Sequence, residues 1–452
     1  MLHVHAADMH TINISAVGID TNPATGLRQK VDNNGREASV GNDRYVVVFN
    51  AGTLHTEVHV FRFDENANLL KIDGKLEFFE QDSSFKSYAE NPQGFANLVT
   101  TLLKKAVSAV PTNLQPEIPL ILGAEDELLF LGEEKSGKIL QAVHDLFKKS
   151  SLLYKPEWVT VLPAAKQGAY LWGTINYLLG NVASDYSKTV AVLAQESASA
   201  QMTYALSAKA AANAPMFSNG EQYIAMHHLK DTNYYLYSHG YFPYGVYALR
   251  AEVLKYTNDT YTYCVTNGYN GQFKYYGEAY NVMQALHLNA TGSNYEKCKA
   301  NVMQALHLNA TCHVKNCTFN GVWNGGGGAG LDRLYLARGF YDAGSDTNIA
   351  GKPRTELRLL DYEKAAKMAC EVKSFEEAHI LLPVVDLVEL PYACLDFVFV
   401  YTMLVDGFGF DPMMMLTAVK EVEYTGSLMT VQWPLGAALE LVSSNNTRKD
   451  DI

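Results

Sequence analysis

Two segments of the chain, near positions 50 and 195, share one pattern of hydrophobic and polar positions. In each, an apolar run (45–49 and 189–193) leads into a short loop of small and polar residues, and a second run (58–63 and 201–206) follows. Runs of this length that are rich in β-branched, aromatic and other apolar residues are typical of strands. The pattern predicts two β-loop-β hairpins, separated by about 125 residues.

Between the hairpins the pattern changes from strand-like to helical. Ile139, Val143, Leu146 and Phe147 recur at the spacing of one helix face, which predicts an amphipathic helix. Strand patterns that alternate with helical ones indicate an α/β fold. At 452 residues, with 48% hydrophobic and 19% charged residues, the chain is long enough for two domains.

Changes in composition suggest where these domains begin and end. Residues 1–43 are polar, rich in Asn, Gly and Thr, and show no sustained period, so they are predicted to form a mobile N-terminal arm. We predict a first domain over 44–185 and a second over 186–425, with the closing segment 426–452 completing the first. An identical 11-residue segment occurs at 281–291 and 301–311. It is too short and isolated for a repeat architecture.

Charge and hydropathy exclude two classes of partner. The net charge of −12 argues against nucleic acid. The apolar stretch around 397–410 is interrupted by Asp406 and preceded by Asp396, so we predict no membrane span. No signal peptide is visible in this chain, because the first ten residues lack an apolar run.

Cysteines and glycosylation sequons nevertheless favour a secreted or extracellular protein. Six cysteines permit fifteen pairings, and six Asn-x-Ser/Thr sequons occur. Even cysteine counts and sequons are typical of the secretory pathway. The sequons that we expect to carry glycans are those at Asn258, Asn289, Asn309 and Asn445.

Several motifs resemble one enzyme family. They are the strand 58–63, the helical segment 175–180, the stretch 317–328 with its glycine run, and the segments 404–409 and 433–436. On these residues the chain resembles the plant apyrases of the nucleoside triphosphate diphosphohydrolase (GDA1/CD39) family, from about residue 45 to 444.

The resemblance implies both a fold and a set of covalent links. The fold would be α/β, with two actin-like (RNase H-like) domains flanking a central cleft, and the last helix would return to the first domain. The implied disulfides pair cysteines in sequence order: Cys264 with Cys298, Cys312 with Cys317, and Cys370 with Cys394.

The phosphate-binding motifs depart from the family pattern. The first loop of the family reads Asp-Ala-Gly-Ser-Thr-Gly-Ser-Arg, and this chain has Asn50 for the Asp and Glu57 for the Arg. Leu129 replaces the arginine of the second motif, and Gln167 replaces the catalytic glutamate of the third. Ala194 replaces the aspartate of the fourth. An amide cannot accept a proton from water at neutral pH, and a carboxylate in place of a cation reverses the interaction with phosphate.

Some positions of the resemblance still suit a nucleotide. The residual nucleotide-binding positions would be Gly52, Thr53, Ser199, Gln201 and Tyr341, the last where the family stacks the nucleobase. The acidic run 125–127 in the second motif is interpreted as solvated surface, the usual state of acids on a loop.

The sequence therefore predicts a protein that has lost nucleotide hydrolysis, a pseudoenzyme with a binding, assembly or storage role. It predicts no catalytic residue, no metal and no cofactor, weak or absent nucleotide binding, and self-assembly or a carbohydrate as partner. The first alternative is an active apyrase that hydrolyses nucleoside tri- and diphosphates to the monophosphate with Ca²⁺ or Mg²⁺. The second alternative is lectin-like carbohydrate binding.

Overall fold

A computed structural model describes residues 43–216, 223–256, 261–284 and 294–444. Apart from Asp43, the predicted N-terminal arm lies outside these ranges, as do Asn258, Asn289 and Asn445. Asn309 is described and exposed. The α/β class predicted from the sequence is confirmed, whereas the domain boundaries stay a prediction.

The first sheet contains the first predicted hairpin. Its order is β3-β2-β1-β5-β6, with β4 also paired to β2; β1 runs antiparallel to β2 and parallel to β5. β1 is buried on both faces, as expected for a central strand of β-branched and aromatic residues. The strands are β1 Arg44–Ala51, β2 His55–Phe63, β3 Leu69–Leu70, β4 Phe78–Ser83, β5 Leu120–Ala124 and β6 Val159–Val161.

Helices α1 (Pro92–Ser108), α2 (Glu133–Phe147) and α3 (Ala164–Leu178) accompany this sheet. α2 confirms the helix predicted from the spacing of apolar residues. α3 is buried on almost all sides, and its apolar residues share one core with strands of both sheets. A helix that is apolar all round belongs in a core, and α3 packs in a core that contains residues of both sheets.

The second sheet contains the second predicted hairpin and has seven strands in the order β15-β16-β14-β7-β8-β10-β9. β14 runs parallel to β7, and β7 antiparallel to β8. The strands are β7 Ala191–Gln195, β8 Ala200–Leu206, β9 Ile224–Leu229, β10 Thr232–Tyr241, β14 Leu334–Arg338, β15 Arg354–Arg358 and β16 Met415–Val419.

Two smaller sheets complete the strands. A three-stranded sheet contains β11 Tyr261–Thr262, β12 Asn270–Tyr275 and β13 Glu278–Gln284, and a two-stranded one contains β17 Glu421–Tyr424 and β18 Ser427–Thr430. The remaining helices are α4 Ala208–Ala212, α5 Val246–Tyr256, α6 Asn294–Ala305, α7 Gly339–Asp346, α8 Leu359–Glu371, α9 Phe375–Leu381, α10 Ala393–Thr402 and α11 Trp433–Ser444.

The last helix, α11, packs against α3 and β1. The approach is close, because a Cβ added at Gly436 would lie 1.9 Å from the carbonyl oxygen of Tyr170 in α3. No side chain fits there, so glycine at 436 permits the contact.

All six cysteines are paired, in the order that the family resemblance implies. The bonds are Cys264–Cys298, Cys312–Cys317 and Cys370–Cys394. The stretch Leu390–Gly407 is long and apolar enough to cross a membrane by length and composition, but 83% of it is buried in the fold. That burial is typical of a core helix, so no clear membrane span is present among the described residues.

The repeated segment adopts two different structures. Residues 281–284 of the first copy end strand β13, whereas the identical residues 301–304 of the second copy lie inside helix α6. Residues 285–291 of the first copy lie outside the described ranges.

Candidate active site

The loops of the two hairpins line one cavity of about 400 Å³. Residues at or just beyond the ends of four strands contribute to it: Asn50 near the end of β1, Glu125 after β5, Glu196 after β7 and Arg338 at the end of β14. β1 is parallel to β5, and β7 is parallel to β14. In open α/β sheets the carboxyl ends of parallel strands are where ligands bind, so this cavity is the candidate active site.

The first hairpin loop requires a glycine at position 52. The backbone N–H of Gly52 donates to the carbonyl oxygen of His55 at 2.9 Å. A Cβ at this position would lie 2.9 Å from that oxygen and 3.0 Å from Glu125 Oε1. Gly52 therefore lets the loop turn tightly beside the Glu125 carboxylate.

Asn50 and Glu57 face each other across the hairpin. Asn50 Nδ2 donates to Glu57 Oε2 at 2.9 Å. Asn50 Oδ1 is buried and has no hydrogen-bond partner within the described part of the chain. A buried acceptor without a partner is costly, and Asn50 borders the cavity, so this oxygen is available to a water or a ligand.

Behind Glu57 lies the buried imidazole of His59. Its Nε2 is 3.5 Å from Glu57 Oε2, and its Nδ1 is 3.3 Å from Glu77 Oε2. Burial alone would lower the pKa of His59, but the interactions with Glu57 and Glu77 raise it to about 9. The pKa of Glu57 is lowered: burial opposes the shift, and the hydrogen bond with His59 outweighs it. An imidazolium thus holds Glu57 ionised at the edge of the cavity.

The acidic run after β5 is not solvated surface, which corrects the interpretation made from the sequence. Glu125 is 8% exposed and Glu127 2%. The backbone N–H of Thr53 donates to Glu125 Oε2 at 2.8 Å. The acids are buried because β5 is a central strand, and its continuation packs beneath the first hairpin loop.

Burial changes the protonation of these two acids. It raises the pKa of Glu125 to about 8, with further contributions from the charges of Glu127 and Glu196. Burial likewise raises the pKa of Glu127 to about 7, while Lys86 opposes the shift. Desolvation and like charges both disfavour the carboxylate form, so the pair titrates near neutral pH rather than near pH 4.

The second hairpin loop contributes a charged pair. Arg338 Nε donates to Glu196 Oε1 at 2.9 Å, and a terminal nitrogen of Arg338 donates to Glu196 Oε2 at 3.2 Å. Arg338 has a positive φ of 61°, which is rare for a residue with a side chain and costs of order 1–3 kcal/mol. Such strain clusters at functional sites.

Three other residues of the second hairpin, singled out from the sequence, are less accessible. Ala194 is fully buried, and Ser199 and Gln201 are buried beside each other. Gln201 Nε2 donates to Ser199 Oγ at 3.3 Å. Ser199 is not among the residues that line the main cavity, and Gln201 lines a separate small cavity of about 10 Å³.

Gln167 lies on α3, at the base of the cleft. Its Nε2 donates to the carbonyl oxygen of Leu162 at 2.7 Å, and its side chain lines the same small cavity as Gln201. Leu129, in contrast, is 55% exposed and borders neither cavity.

The two remaining residues predicted to bind nucleotide are placed differently. Thr53 lines a neighbouring groove of about 960 Å³ with aromatic walls, formed partly by Tyr275 and Tyr276. Tyr341 lies on α7, but its ring is buried and does not border the main cavity; Asp342 and Ala343 of α7 do.

The cleft carboxylates are not clustered as a set of three metal ligands in the described part of the chain. The described part of the chain holds no group of three or more His, Cys, Asp or Glu side chains that could hold a metal ion. Glu57 and Glu196 are engaged by Asn50 and Arg338. The divalent ion implied by the family resemblance would therefore need ligands other than these side chains.

Sequence reasoning missed Arg338 and the burial of Glu125. The signal for Arg338 was its place directly after the apolar run 334–337 and before Gly339, because charged residues at the carboxyl end of a strand are candidates for a site. The signal for Glu125 was the apolar run 118–122 before it, which indicates a central strand that ends at the cleft.

Comparison with known proteins places these features in a family. Residues 37–451 match the GDA1/CD39 (nucleoside phosphatase) family. The chain is 42% identical to probable apyrase 2 of Oryza sativa subsp. japonica, over 89% of this chain and 86% of the relative. It is 39% identical to a nucleoside-triphosphatase of Pisum sativum, over 88% of each chain.

A solved structure supports the fold independently of sequence identity. The crystal structure of nucleoside triphosphate hydrolases from Neospora caninum superposes with a TM-score of 0.58 at 11% identity, and covers 90% of this chain and 93% of that one. The predicted fold class, α/β of the actin-like type, is thereby confirmed.

The prediction of a pseudoenzyme, and with it the prediction that the protein is not an enzyme, was wrong. Relatives about 40% identical over most of their length are named as a probable apyrase and a nucleoside-triphosphatase. The prediction compared Asn50, Glu57, Leu129, Gln167 and Ala194 with a pattern one position at a time. It treated the loss of a family residue as the loss of chemistry, and overlooked the buried carboxylates and the arginine that stand in the cleft instead. With the family match, the identity to these relatives and the fold in agreement, the chain belongs to the GDA1/CD39 (nucleoside phosphatase) family.

Proposed function

We propose that the protein hydrolyses nucleoside tri- and diphosphates to the monophosphate. The observation that carries the proposal is the cavity between the two hairpin loops, at the carboxyl ends of parallel strands, in a chain of this family. Its volume of about 400 Å³ is within the range of small-molecule sites. The names of the relatives, probable apyrase and nucleoside-triphosphatase, support this reaction class.

The charge of the cavity indicates the form in which the nucleotide enters. Seven carboxylate residues and two arginines line it; the carboxylates are Glu57, Glu125, Glu196, Asp342, Asp346, Glu389 and Asp396. A free polyphosphate would meet like charges in a partly desolvated site, where repulsion is stronger than in water. The substrate is therefore the Mg²⁺ or Ca²⁺ complex of the nucleotide. Mg²⁺ commonly binds through substrate phosphates, waters and few protein ligands.

The lining of the cavity suits both parts of a nucleotide. The hairpin loops and Arg338 line one part of the cavity, where the guanidinium would meet the phosphate oxygens. Val385, Phe397 and Val400 also line the cavity, and apolar side chains of this kind suit the nucleoside. The polyphosphate would lie between the loops, with the nucleoside toward α7 and α10.

We further infer that the protein matures in the secretory pathway. All six cysteines are disulfide-bonded, as is typical of proteins that fold in an oxidising compartment. The sequon at Asn309 is exposed and is the described site at which we expect a glycan. Mass spectrometry of peptides before and after glycosidase treatment tests this position. Carbohydrate binding and self-assembly stay predictions.

The experiment that tests the proposed reaction measures phosphate release from ATP, ADP and AMP with Mg²⁺ or Ca²⁺, and again after chelation. We expect release from ATP and ADP, none from AMP, and loss of activity with chelator. Gly52→Ala should abolish the activity, because the added Cβ contacts His55 and Glu125. The matched control is Gly137→Ala, at a helical glycine with open space around it. Absence of release from both ATP and ADP would overturn the proposal.

A further inference from the structure

Hydrolysis at this site needs a proton acceptor, and residue 167 cannot supply one. Gln167 carries an amide, and its Nε2 is committed to the Leu162 carbonyl oxygen. An amide does not accept a proton from water at neutral pH. If the reaction proposed above occurs, another group near the attacking water must take its proton.

Beside Gln167 lies a cavity of the size that a single water requires. Its volume is about 10 Å³. Polar side chains border it on several sides: Asn50, Glu125, Gln167, Glu196, Gln201, Arg338 and Gln432. A polar cavity of this size with several hydrogen-bonding neighbours is where an ordered water is expected.

Glu125 borders both this small cavity and the main one. One of its oxygens is held in place, since Oε2 accepts the Thr53 N–H at 2.8 Å. The other, Oε1, lies beside Gly52, where a Cβ would approach it to 3.0 Å. The carboxylate is thus anchored at one oxygen next to the first hairpin loop, and its residue borders both cavities.

The other two acids of the hairpins are already engaged. Glu196 is held by two donors of Arg338. Glu57 accepts from Asn50 and forms an ion pair with His59. Among the described residues, Glu125 forms no salt bridge within 4 Å. It is therefore the cleft carboxylate best able to bind a water and accept its proton.

We propose that the Glu125 carboxylate, and not residue 167, is the general base of this enzyme. It acts on a water held in the small cavity. The proposal rests on the proposed nucleotide hydrolysis and adds a catalytic residue to it.

With ATP as substrate, the attack is on the terminal phosphate. The water oxygen forms a bond to the γ-phosphorus while one of its protons passes to Glu125. The bond between the γ-phosphorus and the bridging oxygen breaks, and its electron pair stays on the β-phosphate of the departing ADP. The second proton of the water remains on the inorganic phosphate, and Glu125 then releases its proton to solvent.

The surroundings of Glu125 predict how the rate depends on pH. The charged and titratable groups that face it are Glu127 on its own loop, Glu196 on the second hairpin, Arg338 at the start of α7, Lys86, and Tyr276 on the β12–β13 turn. Burial, then the charges of Glu127 and Glu196, raise its pKa to about 8. A general base works best with a pKa near the working pH, and its active form here is the carboxylate. The plot of hydrolysis rate against pH should therefore show a rising limb near pH 8.

The first variant to test is Glu125→Gln, measured for kcat, KM and the pH profile of ATP and ADP hydrolysis. We expect kcat to fall by about 10²–10⁴-fold, KM to change little, and the limb to disappear. Glu125→Asp, which keeps a carboxylate, should recover part of kcat. Glu134→Gln is the matched control, since Glu134 is an exposed glutamate on α2.

A second variant, Glu127→Gln, moves the limb without touching the water. Removing a neighbouring negative charge lowers the pKa of Glu125, so the limb should shift to lower pH. If the wild type is active but kcat of Glu125→Gln falls by less than about 100-fold, Glu125 is not the general base. The same conclusion follows if the pH limb of Glu127→Gln stays where it is in the wild type. Either result would leave the proposed function standing. Absence of hydrolysis by the wild-type protein would overturn both.

Discussion

Arg338 donates from two nitrogens to both carboxylate oxygens of Glu196, at 2.9 and 3.2 Å. The pair joins the residue before α7 to the loop of the second hairpin, at the edge of the sheet where β7 and β14 end. It fixes a guanidinium in the cleft, on a backbone with φ of 61°. A bidentate pair of this geometry is stronger and more specific than a single contact.

Loss of this pair should destabilise the protein and the cleft together. Arg338→Ala leaves the partly buried Glu196 carboxylate without its donors, and we expect a fall of about 1–3 kcal/mol in the free energy of unfolding. The fall is limited because the Arg338 side chain is 37% exposed. Chemical denaturation measures it, with Arg333→Ala, an arginine outside the cleft, as a comparison. Equal stability of Arg338→Ala and the wild type would show that the pair contributes nothing.

The buried His59 should make stability depend on pH. Its pKa in the folded protein is raised to about 9, above the value of about 6.5 in the unfolded chain. Its contribution is therefore fully present below pH 6.5 and lost as pH rises through 9. The shift corresponds to roughly 3 kcal/mol. Thermal unfolding of the wild type between pH 6 and 9.5 should show this loss, and His59→Gln should remove that part of the pH dependence. A wild-type profile that rises over this range would contradict the assignment of charge to His59.

Gln167→Glu should be destabilising. In the wild type, Nε2 donates to the Leu162 carbonyl oxygen, and a carboxylate would place an acceptor against that acceptor in a buried position. We expect a loss of about 1–3 kcal/mol at neutral pH, smaller at pH 4, where a protonated acid can donate. Gln167→Met, which removes the hydrogen bond without adding charge, is the control. Unfolding curves at both pH values decide the matter, and equal losses at pH 4 and pH 7 would disprove the role of charge.

The disulfides should differ in their effect on stability according to the length of chain they close. Cys264–Cys298 spans 34 residues and Cys312–Cys317 spans 5. The entropy of the unfolded chain predicts that removing the first, as a Cys→Ser pair, costs about 4 kcal/mol and removing the second about 2 kcal/mol. Urea denaturation of the two double variants compares them. A larger cost for Cys312–Cys317 would contradict this order.

Much of the scaffold could be predicted from the chain because it depends on local pattern. The apolar runs at 45–49 and 201–206 lie within β1 and β8, and the spacing of Ile139, Val143 and Phe147 corresponds to α2. Strand and helix periods are set by the backbone, so they can be read without knowing what each face contacts. The actin-like fold and the order of the cysteine pairs were predicted from the motifs shared with the family.

The state of the cleft could not be predicted in the same way. Acids 125–127 look like a solvated loop in the sequence, but Glu125 and Glu127 are buried because β5 lies inside a sheet and its end meets the first hairpin. Arg338 and Glu196 are 142 residues apart and meet because β14 and β7 are parallel neighbours. Burial and long-range pairing set pKa values and charge, and neither is encoded in a local window.

The repeated segment shows most clearly what the sequence determines and what depends on tertiary contacts. By itself the sequence determined the strand and helix patterns of the scaffold and the family to which the chain belongs. It did not determine the structure of Asn-Val-Met-Gln, which is a strand at 281–284 and a helix at 301–304. Local propensities for strand and helix differ by less than 1 kcal/mol per residue. The first copy pairs with β12, and in the second copy Val302 packs in the core. These contacts contribute more to the free energy of folding than the propensities do. Tertiary contacts decided the structure of each copy because they outweigh the intrinsic preference of four residues.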